Sequence, residues 1–567
     1  MKKDSRKKIR IALCQMNALA GGIDSNRDKI GANLEKCREE GCDLAVFPEL
    51  AVTGYPPEDL LLKKGFVDDN LKALKDISSK CEKITAVVGF VDHRNGKLFN
   101  SAAVVHNRKV VAVYDKICLP NYGVFDEKRY FSQGKASCII ELDGFSFGLL
   151  ICEDLWDEKG PAKKLASSGA DLLLSINASP YSVGKWSERE KAAKQLSVKT
   201  GNCFAYLNLV GGQDELVFDG HSFILDRKGK VVSRGRQFEE DILVYDIEAS
   251  DNKTRRGSGI KIVGIKSKNF PLKTSIKVSN PEPLPRTAEV YKALWLGLRD
   301  YVKKNGFKKV VLGLSGGIDS ALVAAVSKDA LGSDNVKAVF MPSQYTSQQS
   351  GEDAFAVAKN LGIECLELPI SDIFAQFMKS LAGPFSGTQA NIAEENLQAR
   401  IRGSLLMAFS NKFGYLVLAT GNKSEVSTGY STLYGDMCGG LSVIKDVPKT
   451  LVYELVNYRN SVGKVIPESI INRPPTAELK PDQKDQDTLP PYDVLDRIIE
   501  GYVEKDMGIE EIVRADGRLP QPIVKHTISM IDRSEYKRRQ SAPGIKITPK
   551  AFGKDRRMPI TNGYNKV

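Results

Sequence analysis

The sequence predicts an α/β protein of two domains. Short apolar runs alternate with amphipathic helical segments in both halves of the chain, which is the pattern of α/β folds. The 567 residues are too many for one hydrophobic core and indicate roughly two to four domains. A polar, proline-rich stretch at 251–285 is typical of a connector. We therefore expect domains at 1–250 and 286–567.

The composition is typical of a soluble globular protein, and the absence of a signal together with reduced thiols predicts a cytoplasmic one. The chain has no run of about 18 apolar residues, so we predict no membrane span, and its basic start is followed by a segment too polar for a secretory signal. The 10 cysteines form no CxxC pair, which favours reduced thiols. The 4 histidines form no HExxH motif, which excludes that class of zinc site. The net charge of +12 suits an anionic ligand, either a nucleotide or RNA.

The apolar runs of the first domain predict strands separated by helices. A helix is expected after the first strand, with Asp24 and Ser25 as its caps and with Ile30, Leu34 and Cys37 on its buried face. We expect strands at 9–16, 43–49, 85–90, 102–106, 110–114, 145–151, 171–176 and 203–210.

The second domain repeats a strand–helix–strand order, which predicts a parallel sheet. The polar, proline-rich segment 480–493 is predicted to be a surface loop that can move. Helices are expected at 288–306, 319–331 and 351–362, and strands at 308–314 and 336–342.

The string LSGGIDS lies at a predicted strand-to-helix junction of the second domain. Gly316 and Gly317 permit a tight turn close to a phosphate, and the N-terminus of the following helix favours an anion there. Ser315 and Ser320 add hydroxyl donors, and Asp319 can hold the Mg²⁺ that accompanies a nucleotide. The alternative is a turn whose glycines serve packing alone. The full combination at this junction favours ATP binding.

This loop resembles that of the SGGxDS ATP pyrophosphatases, which cleave ATP between its α and β phosphates. The strings ENLQARIRGSLLMAFS, LATGNKSEVSTGYSTLYGD and EYKRR are similar to the NAD synthetase branch of that group. The resemblance implies a Rossmann-like parallel-sheet domain. It implies ATP contacts at Gly313, Leu314, Ser315, Gly316, Gly317, Ile318, Asp319, Ser320, Thr420 and Lys449, contacts to the deamidated dinucleotide at Asn396, Glu425 and Lys537, and Mg²⁺ at Asp319 and Glu425. Tyr536 stands where ammonia-using members have histidine, which leaves the role of that position open.

Cys152 ends the apolar run FGLLI and precedes two acidic residues. Negative neighbours raise the pKa of a thiol, and only the thiolate is nucleophilic, so a buried structural cysteine is one interpretation. The other is a nucleophile activated from elsewhere in the chain. Lys116 and Glu49 also follow predicted strands, and we expect all three residues to meet at strand ends of one sheet. Lys116 would then lower the thiol pKa and stabilise an oxyanion, and Glu49 would act as general base.

The contexts FPEL, DKICLP and ICEDLW around these three residues resemble the nitrilase superfamily, whose members hydrolyse amides through a thioester. The resemblance implies an αββα sandwich, with Glu127 as a second glutamate that positions the lysine. In glutamine-using NAD synthetases, residues that match Tyr122, Ser179 and Lys185 contact glutamine, and NASPYSVGKWSER fits that pattern.

The two resemblances together imply a glutamine- and ATP-dependent amidation of nicotinic acid adenine dinucleotide (deamido-NAD) to NAD⁺. Glutamine would be hydrolysed in the first domain, and the ammonia would pass internally to an adenylated intermediate in the second. They also imply a homo-oligomer, often an octamer in that family, and no nucleic-acid or membrane partner. Two alternatives stay open: a tRNA-modifying ATP pyrophosphatase, because the charge of +12 and the string YKRRQ would suit RNA, and a non-catalytic nucleotide-binding scaffold.

Overall fold

The computed structural model describes residues 8–157, 159–250, 259–266, 275–481 and 483–564. The chain divides into two compact units, the first formed by 1–213 and 217–284 and the second by 214–216 and 285–567. The basic start of the chain and residues 251–258 and 267–274 of the predicted connector lie outside the described residues.

The first unit contains fifteen strands and four α-helices among its described residues. The strands are β1 (Lys8–Gln15), β2 (Leu44–Val46), β3 (Thr85–Arg94), β4 (Lys97–His106), β5 (Lys109–Asp115), β6 (Ser137–Leu142), β7 (Phe145–Ile151), β8 (Leu172–Asn177), β9 (Cys203–Asn208), β10 (Val210–Gln213), β11 (Leu216–Asp219), β12 (Phe223–Leu225), β13 (Val231–Arg234), β14 (Asp241–Glu248) and β15 (Ile260–Ile265). The helices are α1 (Ile23–Glu39), α2 (Lys64–Lys80), α3 (Pro161–Ser167) and α4 (Lys185–Thr200).

Two large sheets form the first unit. A six-stranded sheet has the order β14-β1-β2-β3-β4-β5, and a seven-stranded sheet has the order β13-β12-β9-β8-β7-β6-β15. Ile11 and Val104 of the first sheet share one buried cluster with Phe147 and Leu174 of the second, because alternate side chains of each strand face the opposite sheet. Helices α3 and α4 cover the outer face of the seven-stranded sheet, and α2 packs on β3 with α1 beside it. The predicted αββα sandwich is confirmed.

The segment predicted as a connector contributes an unexpected strand. β15 pairs in parallel with β6 and forms an edge of the seven-stranded sheet. Ile262 packs against the outer cluster of this sheet, and Ile265 belongs to the inner one. Lysines and a glycine interrupt the apolar pattern of this segment, which is why it reads as polar in the sequence.

Helix α1 begins two residues earlier than its predicted caps allow. It follows Gly22, so Asp24 and Ser25 lie inside its first turn, and the capping prediction is wrong. The Ser25 hydroxyl donates instead to the carbonyl of Gly22 (2.8 Å). The predicted apolar residues of this helix are all buried.

The second unit is built on a five-stranded sheet with the order β18-β17-β16-β19-β20. Its strands are β16 (Val310–Gly313), β17 (Val336–Phe340), β18 (Glu364–Glu367), β19 (Leu416–Ala419) and β20 (Leu441–Ser442). Its helices are α5 (Arg286–Lys304), α6 (Ile318–Leu331), α7 (Gln348–Leu361), α8 (Ser371–Leu381), α9 (Ile392–Phe413), α10 (Lys423–Thr428), α11 (Lys449–Val462), α12 (Glu468–Asn472), α13 (Tyr492–Ile499), α14 (Ile509–Ala515), α15 (Gln521–Arg533) and α16 (Glu535–Arg538).

The topology of this sheet determines where a ligand can bind. All four strand pairs are parallel, as predicted. The chain moves from β16 outward to β18 and then returns to the other side of β16 as β19. Ligands of open α/β sheets bind beyond the carboxyl ends of the strands at such a reversal. The LSGGIDS loop follows β16, and the string TGNKSE follows β19, so both lie at this reversal.

Candidate active sites

The first site forms where residues from both sheets of the first unit meet. Glu49 follows β2, Lys116 follows β5, and Cys152 follows β7. The prediction that one sheet supplies all three is wrong, because β2 and β5 belong to the six-stranded sheet and β7 to the seven-stranded one. The sheets pack face to face, which brings the three strand ends together. The charges of Glu49 and Lys116 both act on the pKa of Cys152.

Lys116 is the centre of this buried cluster. Its side chain is 1% exposed, and its Nζ donates to Oε1 of Glu49 (2.7 Å) and to Oε1 of Glu127 (2.8 Å). Asn100 Nδ2 donates to the same oxygen of Glu49 (2.7 Å). Burial lowers the pKa of Lys116, but the carboxylates of Glu127 and Glu49 outweigh this effect and hold it well above its ordinary value. The lysine is therefore a fixed cation.

The two glutamates around the lysine differ in their surroundings. Oε2 of Glu49 accepts from the backbone N–H of Ala178 (2.8 Å), so both oxygens of this carboxylate are held. Glu127 accepts from the hydroxyl of Tyr55 (3.1 Å) and from Lys116. Burial, followed by the charge of Glu49, raises the pKa of Glu127 to about 7, although Lys116 opposes the shift. Glu127 thus contacts and orients the lysine.

Cys152 has the backbone of a strained functional residue. Its φ is +45°, a left-handed conformation that non-glycine residues rarely adopt, and it begins the short 3₁₀ helix Cys152–Leu155. Burial and the charge of Glu49 raise the pKa of the thiol well above its ordinary value. Lys116 acts in the predicted, lowering direction but is outweighed. In the free protein the group is therefore a thiol, and its proton must be removed during a reaction.

The acids beside Cys152 have separate contacts. The buried carboxylate of Asp154 accepts from the hydroxyl of Tyr114 (2.7 Å) and from the backbone N–H of Cys118 (2.8 Å), which ties the end of β7 to the end of β5. Glu153 accepts from the hydroxyl of Tyr122 (2.9 Å). Asp154 therefore joins the two sheets beside the site, a role that sequence reasoning missed.

The three residues predicted to contact glutamine lie in different settings. Tyr122 is 58% exposed and touches the segment after Cys152 through Glu153. Ser179 is buried, and its N–H donates to Oδ1 of Asn208 (2.9 Å). Lys185 begins α4, and its Nζ lies 4.8 Å from the ring centroid of Trp156. No shared contact among the three is present in the described part of the chain.

The second site is the loop that follows β16. Gly316 has φ +79°, and a Cβ at this position would come within 2.2 Å of the carbonyl oxygen of Ser350, so only glycine fits. The N–H of Gly317 donates to Oγ of Ser315 (3.2 Å), and the hydroxyl of Ser320 donates to the carbonyl of Gly317 (3.0 Å). The serines therefore shape the turn in front of α6, whose N-terminus suits a phosphate.

A cavity of about 210 Å³ opens in front of this loop. Of the predicted residues, Ser315, Gly317, Ile318, Asp319, Ser320, Thr420, Glu425 and Lys449 line it. Residues that sequence reasoning missed also line it, among them Ser350, Tyr430, Asp436, Arg473, Glu478 and Asp485. Arg473 Nη2 donates to the carbonyl of Gly316 (2.7 Å), which ties the segment after α12 to the loop.

A cation and two acids meet inside this cavity. Lys449 Nζ contacts Oδ2 of Asp319 and lies 3.7 Å from Oε1 of Glu425. Burial, followed by the charge of Asp319, raises the pKa of Glu425 to about 8. Asn422 Nδ2 donates to Oδ1 of Asp319 (2.9 Å). Two carboxylates this close fit a divalent cation that keeps water and phosphate as its other ligands. No group of three or more candidate ligands was found among the described residues.

The residues predicted to bind the dinucleotide adjoin the turn after α10. Lys537 Nζ donates to the carbonyls of Gly429 and Ser431 (2.8 Å each), and burial lowers its pKa. Asn396 accepts from the hydroxyl of Thr432 (2.7 Å). Neither Asn396 nor Lys537 lines the 210 Å³ cavity.

The segment predicted as a surface loop at 480–493 is partly internal. Asp485 is 4% exposed, lines the cavity, and accepts from the hydroxyl of Tyr492 (2.7 Å). Leu489 belongs to a buried cluster with residues of α13 and α15. The prediction of a surface loop is therefore wrong at the buried Asp485 and Leu489, whereas 486–488 are exposed as predicted. Residue 482 lies outside the described residues.

No helix in the described ranges is long and apolar enough to cross a membrane.

The two units match two separate family models. Residues 10–256 match the carbon-nitrogen hydrolase model, and residues 290–541 match the NAD synthase model. Fold and family models therefore define a two-domain enzyme in which a carbon-nitrogen hydrolase unit precedes an NAD synthase unit.

Relatives match both units at once. The glutamine-dependent NAD(+) synthetase of Thermotoga maritima is 47% identical over 98% of this chain and 99% of its own length, and that of Aquifex aeolicus is 46% identical over 98% and 100%. A solved glutamine-dependent NAD+ synthetase from Acinetobacter baumannii, in complex with ADP, is 43% identical with a TM-score of 0.76 over 98% of this chain and 99% of that one. The chain belongs to the glutamine-dependent NAD(+) synthetase family, whose members are carbon–nitrogen ligases. The predicted family is confirmed, in place of the two alternatives.

Proposed function

We propose that the protein converts deamido-NAD, ATP and glutamine into NAD⁺, AMP, pyrophosphate and glutamate. The observation that carries this proposal is the presence in one chain of the Glu49–Lys116–Cys152 cluster and of the glycine loop at 315–320 beside the 210 Å³ cavity. We assign the glutaminase to residues 1–250 and the synthetase to 286–567. We further propose a cytoplasmic homo-oligomer of octameric type, with small-molecule substrates and no nucleic-acid partner.

The glutaminase step starts from a protonated thiol. Glu49 takes the proton of Cys152 as Sγ attacks the side-chain amide carbon of glutamine, so attack and proton transfer are coupled. Lys116 stands beside the reacting groups as a fixed cation and stabilises the oxyanion of the tetrahedral intermediate. Glu49 then returns the proton to the leaving nitrogen, ammonia departs, and a thioester forms. Water, deprotonated by Glu49, hydrolyses the thioester to glutamate and regenerates the thiol.

The synthetase step activates the nicotinate carboxylate of deamido-NAD. A carboxylate oxygen attacks the α-phosphorus of ATP, and pyrophosphate leaves. Ammonia from the first unit, transferred without release to solvent, attacks the acyl adenylate and displaces AMP. Ser315, Gly317 and Ser320 cradle the phosphates at the N-terminus of α6. The buried cation of Lys449 balances their charge, and Thr420 contacts the nucleotide.

Asp319 and Glu425 would hold Mg²⁺ in this cavity, and Asn396, Glu425 and Lys537 would contact the dinucleotide. The bound cation supplies neutralisation of the polyphosphate charge. In the free protein the ammonium of Lys449 pairs with the half-buried carboxylate of Asp319 and offsets its charge. Asn422 orients the other oxygen of Asp319.

The decisive experiment is an NAD⁺-forming assay with purified protein, ATP, Mg²⁺ and deamido-NAD, supplied with either glutamine or ammonium. NAD⁺, AMP and pyrophosphate should appear in equal amounts with either donor, and glutamate only with glutamine. Formation of ADP and phosphate in place of AMP and pyrophosphate would refute the adenylation step. Absence of NAD⁺ with both donors would refute the proposed function.

A further inference from the structure

A buried arginine of the first unit has no part in the chemistry described above. Arg189 lies on α4, its side chain is 1% exposed, and its Nη1 donates to Oδ1 of Asp219 (2.6 Å), whose side chain is 0% exposed. A buried ion pair is expensive to desolvate and rarely adds stability over an apolar pair. Its presence therefore calls for another explanation, and the remaining contacts of the guanidinium provide one.

Three further hydrogen bonds of Arg189 converge on two neighbouring residues of the segment after β8. Nε donates to Oγ of Ser179 (3.2 Å), and Nη2 donates to the carbonyls of Ser179 (3.0 Å) and Pro180 (2.9 Å). A planar guanidinium holds these acceptors in one fixed arrangement, which a lysine ammonium cannot reproduce. Ser179 Oγ therefore has an acceptor role toward Arg189 in the free protein.

The segment that Arg189 fixes also carries the contact to the general base. The N–H of Ala178, one residue before Ser179, donates to Oε2 of Glu49 (2.8 Å). Asn208 holds the same segment by accepting from the N–H of Ser179 (2.9 Å). The backbone at 178–180 thus links the group that deprotonates Cys152 to the serine predicted to contact glutamine.

The predicted glutamine contact on α4 depends on the same anchor. Lys185 and Arg189 are four residues apart and therefore lie on one face of α4. The bonds of Arg189 to Ser179 and Pro180 fix the rotation of this face relative to the segment after β8.

We propose that Arg189, held by Asp219, is a positioning residue for glutamine. Arg189 fixes Ser179 and the first turn of α4 relative to Glu49. The substrate amide then meets Cys152 in the productive orientation. The inference rests on the proposed glutaminase function. Arg189 takes part in no chemical step. It controls the orientation of the substrate and not the activation of the thiol.

The test compares Arg189→Lys and Asp219→Asn with wild type in the NAD⁺-forming assay. The kcat/KM for glutamine should fall by about tenfold to a hundredfold, as expected for a substrate held slightly out of place, while synthesis from ammonium is unchanged. The rate at which iodoacetamide alkylates Cys152 should also be unchanged in the Arg189→Lys protein, which keeps the positive charge that interacts with Cys152. Arg236→Lys is the matched control, since that arginine is 53% exposed and should behave as wild type. Equal loss with both nitrogen donors, or an altered alkylation rate in the charge-conserving Arg189→Lys protein, would overturn the proposal.

A double-variant comparison separates positioning from general damage. If Arg189 acts through Ser179, combining Arg189→Lys with Ser179→Ala should lower the kcat/KM for glutamine far less than the product of the two single losses. Multiplicative losses would contradict the proposal. Should wild type release glutamate yet form no NAD⁺, the synthetase assignment fails, and glutamate release still decides the role of Arg189.

Discussion

Lys449 and Asp319 form an ion pair inside the nucleotide cavity, with Nζ of the lysine against Oδ2 of the aspartate. The lysine is 1% exposed, so this charge cannot leave the cavity. Burial lowers the pKa of Lys449, but Asp319 and Glu425 outweigh burial and raise it, which keeps the ammonium charged. The free protein therefore already holds a cation where polyphosphate and Mg²⁺ are proposed to bind.

We predict that Asp319→Asn abolishes NAD⁺ synthesis from both glutamine and ammonium. Asparagine preserves the shape of the side chain but removes the charge that pairs with Lys449 and would hold Mg²⁺. The measurement is pyrophosphate release at several Mg²⁺ concentrations. Normal release at ordinary Mg²⁺ would show that another acid, such as Glu425, carries the metal alone.

We predict that Cys152→Ala loses glutamine-dependent synthesis and retains synthesis from high ammonium. The thiol serves only amide cleavage, and adenylation takes place in the other unit. Glutamate release and NAD⁺ formation should be measured in parallel with each donor. If both donors fail to the same extent, Cys152 is not confined to the glutaminase.

The pKa of about 7 for Glu127 predicts an acid limb in the glutaminase rate. Glu127 carries its negative charge above this pKa and loses it below, and Lys116 is then held by Glu49 alone. The kcat/KM for glutamine should therefore fall as the pH drops through about 7. The Glu127→Gln protein should stay at the low level and lack this limb. An identical acid limb in both proteins would assign the titration to another group.

The buried Lys423 predicts a large loss of stability on substitution. It is 0% exposed and pairs with Glu504 (2.7 Å) and Asp446 (2.9 Å), and it also donates to Thr548 (2.7 Å). Lys423→Met leaves two carboxylates without their cation, which should lower the free energy of unfolding by about 3–5 kcal/mol. Calorimetry of the whole chain measures the change.

The control for this prediction is Lys464→Met. Lys464 is 66% exposed, lies in the loop between α11 and α12, and pairs with the exposed Glu468, so its removal should barely change the transition. If Lys423→Met lowers the free energy of unfolding as little as Lys464→Met does, the buried network around Lys423 does not stabilise the fold.

Coupling between the two activities is a further prediction. A glutaminase that acts without an acceptor wastes glutamine and releases ammonia as ammonium. We expect glutamate release to be slow with glutamine alone and to rise several-fold when ATP and deamido-NAD are also present. Equal rates with and without the synthetase substrates would show that the activities are independent.

The sequence was sufficient for the elements that follow simple periodicity. The parallel sheet of the second unit and its glycine loop were predictable because an apolar run, a loop with two glycines and a helix follow each other directly. Individual strand ends were equally clear, since Cys152 and Lys116 follow apolar runs. Which sheet each strand joins was not predictable, because both sheets are built from similar runs.

Residues whose importance lies in distant contacts were missed. Asp154 appeared as a repulsive neighbour of Cys152, yet its carboxylate faces Tyr114 and the backbone at Cys118. Arg473 and Asp485 lie in segments rich in proline and polar residues, which show no periodicity that points to a cavity. Only the folded chain reveals such pairs, since their partners are far away in sequence.

The division of the glutaminase residues between two sheets has a consequence for biosynthesis of the protein itself. Glu49 and Lys116 are synthesised before Cys152 and follow strands of one sheet, whereas Cys152 follows a strand of the other. In a nascent or partly refolded chain the base and the thiol are therefore apart. Such a chain cannot consume glutamine before its sandwich has closed. Recovery of glutamate release after dilution from denaturant would therefore report the docking of the two sheets, an event that the formation of either sheet alone does not produce.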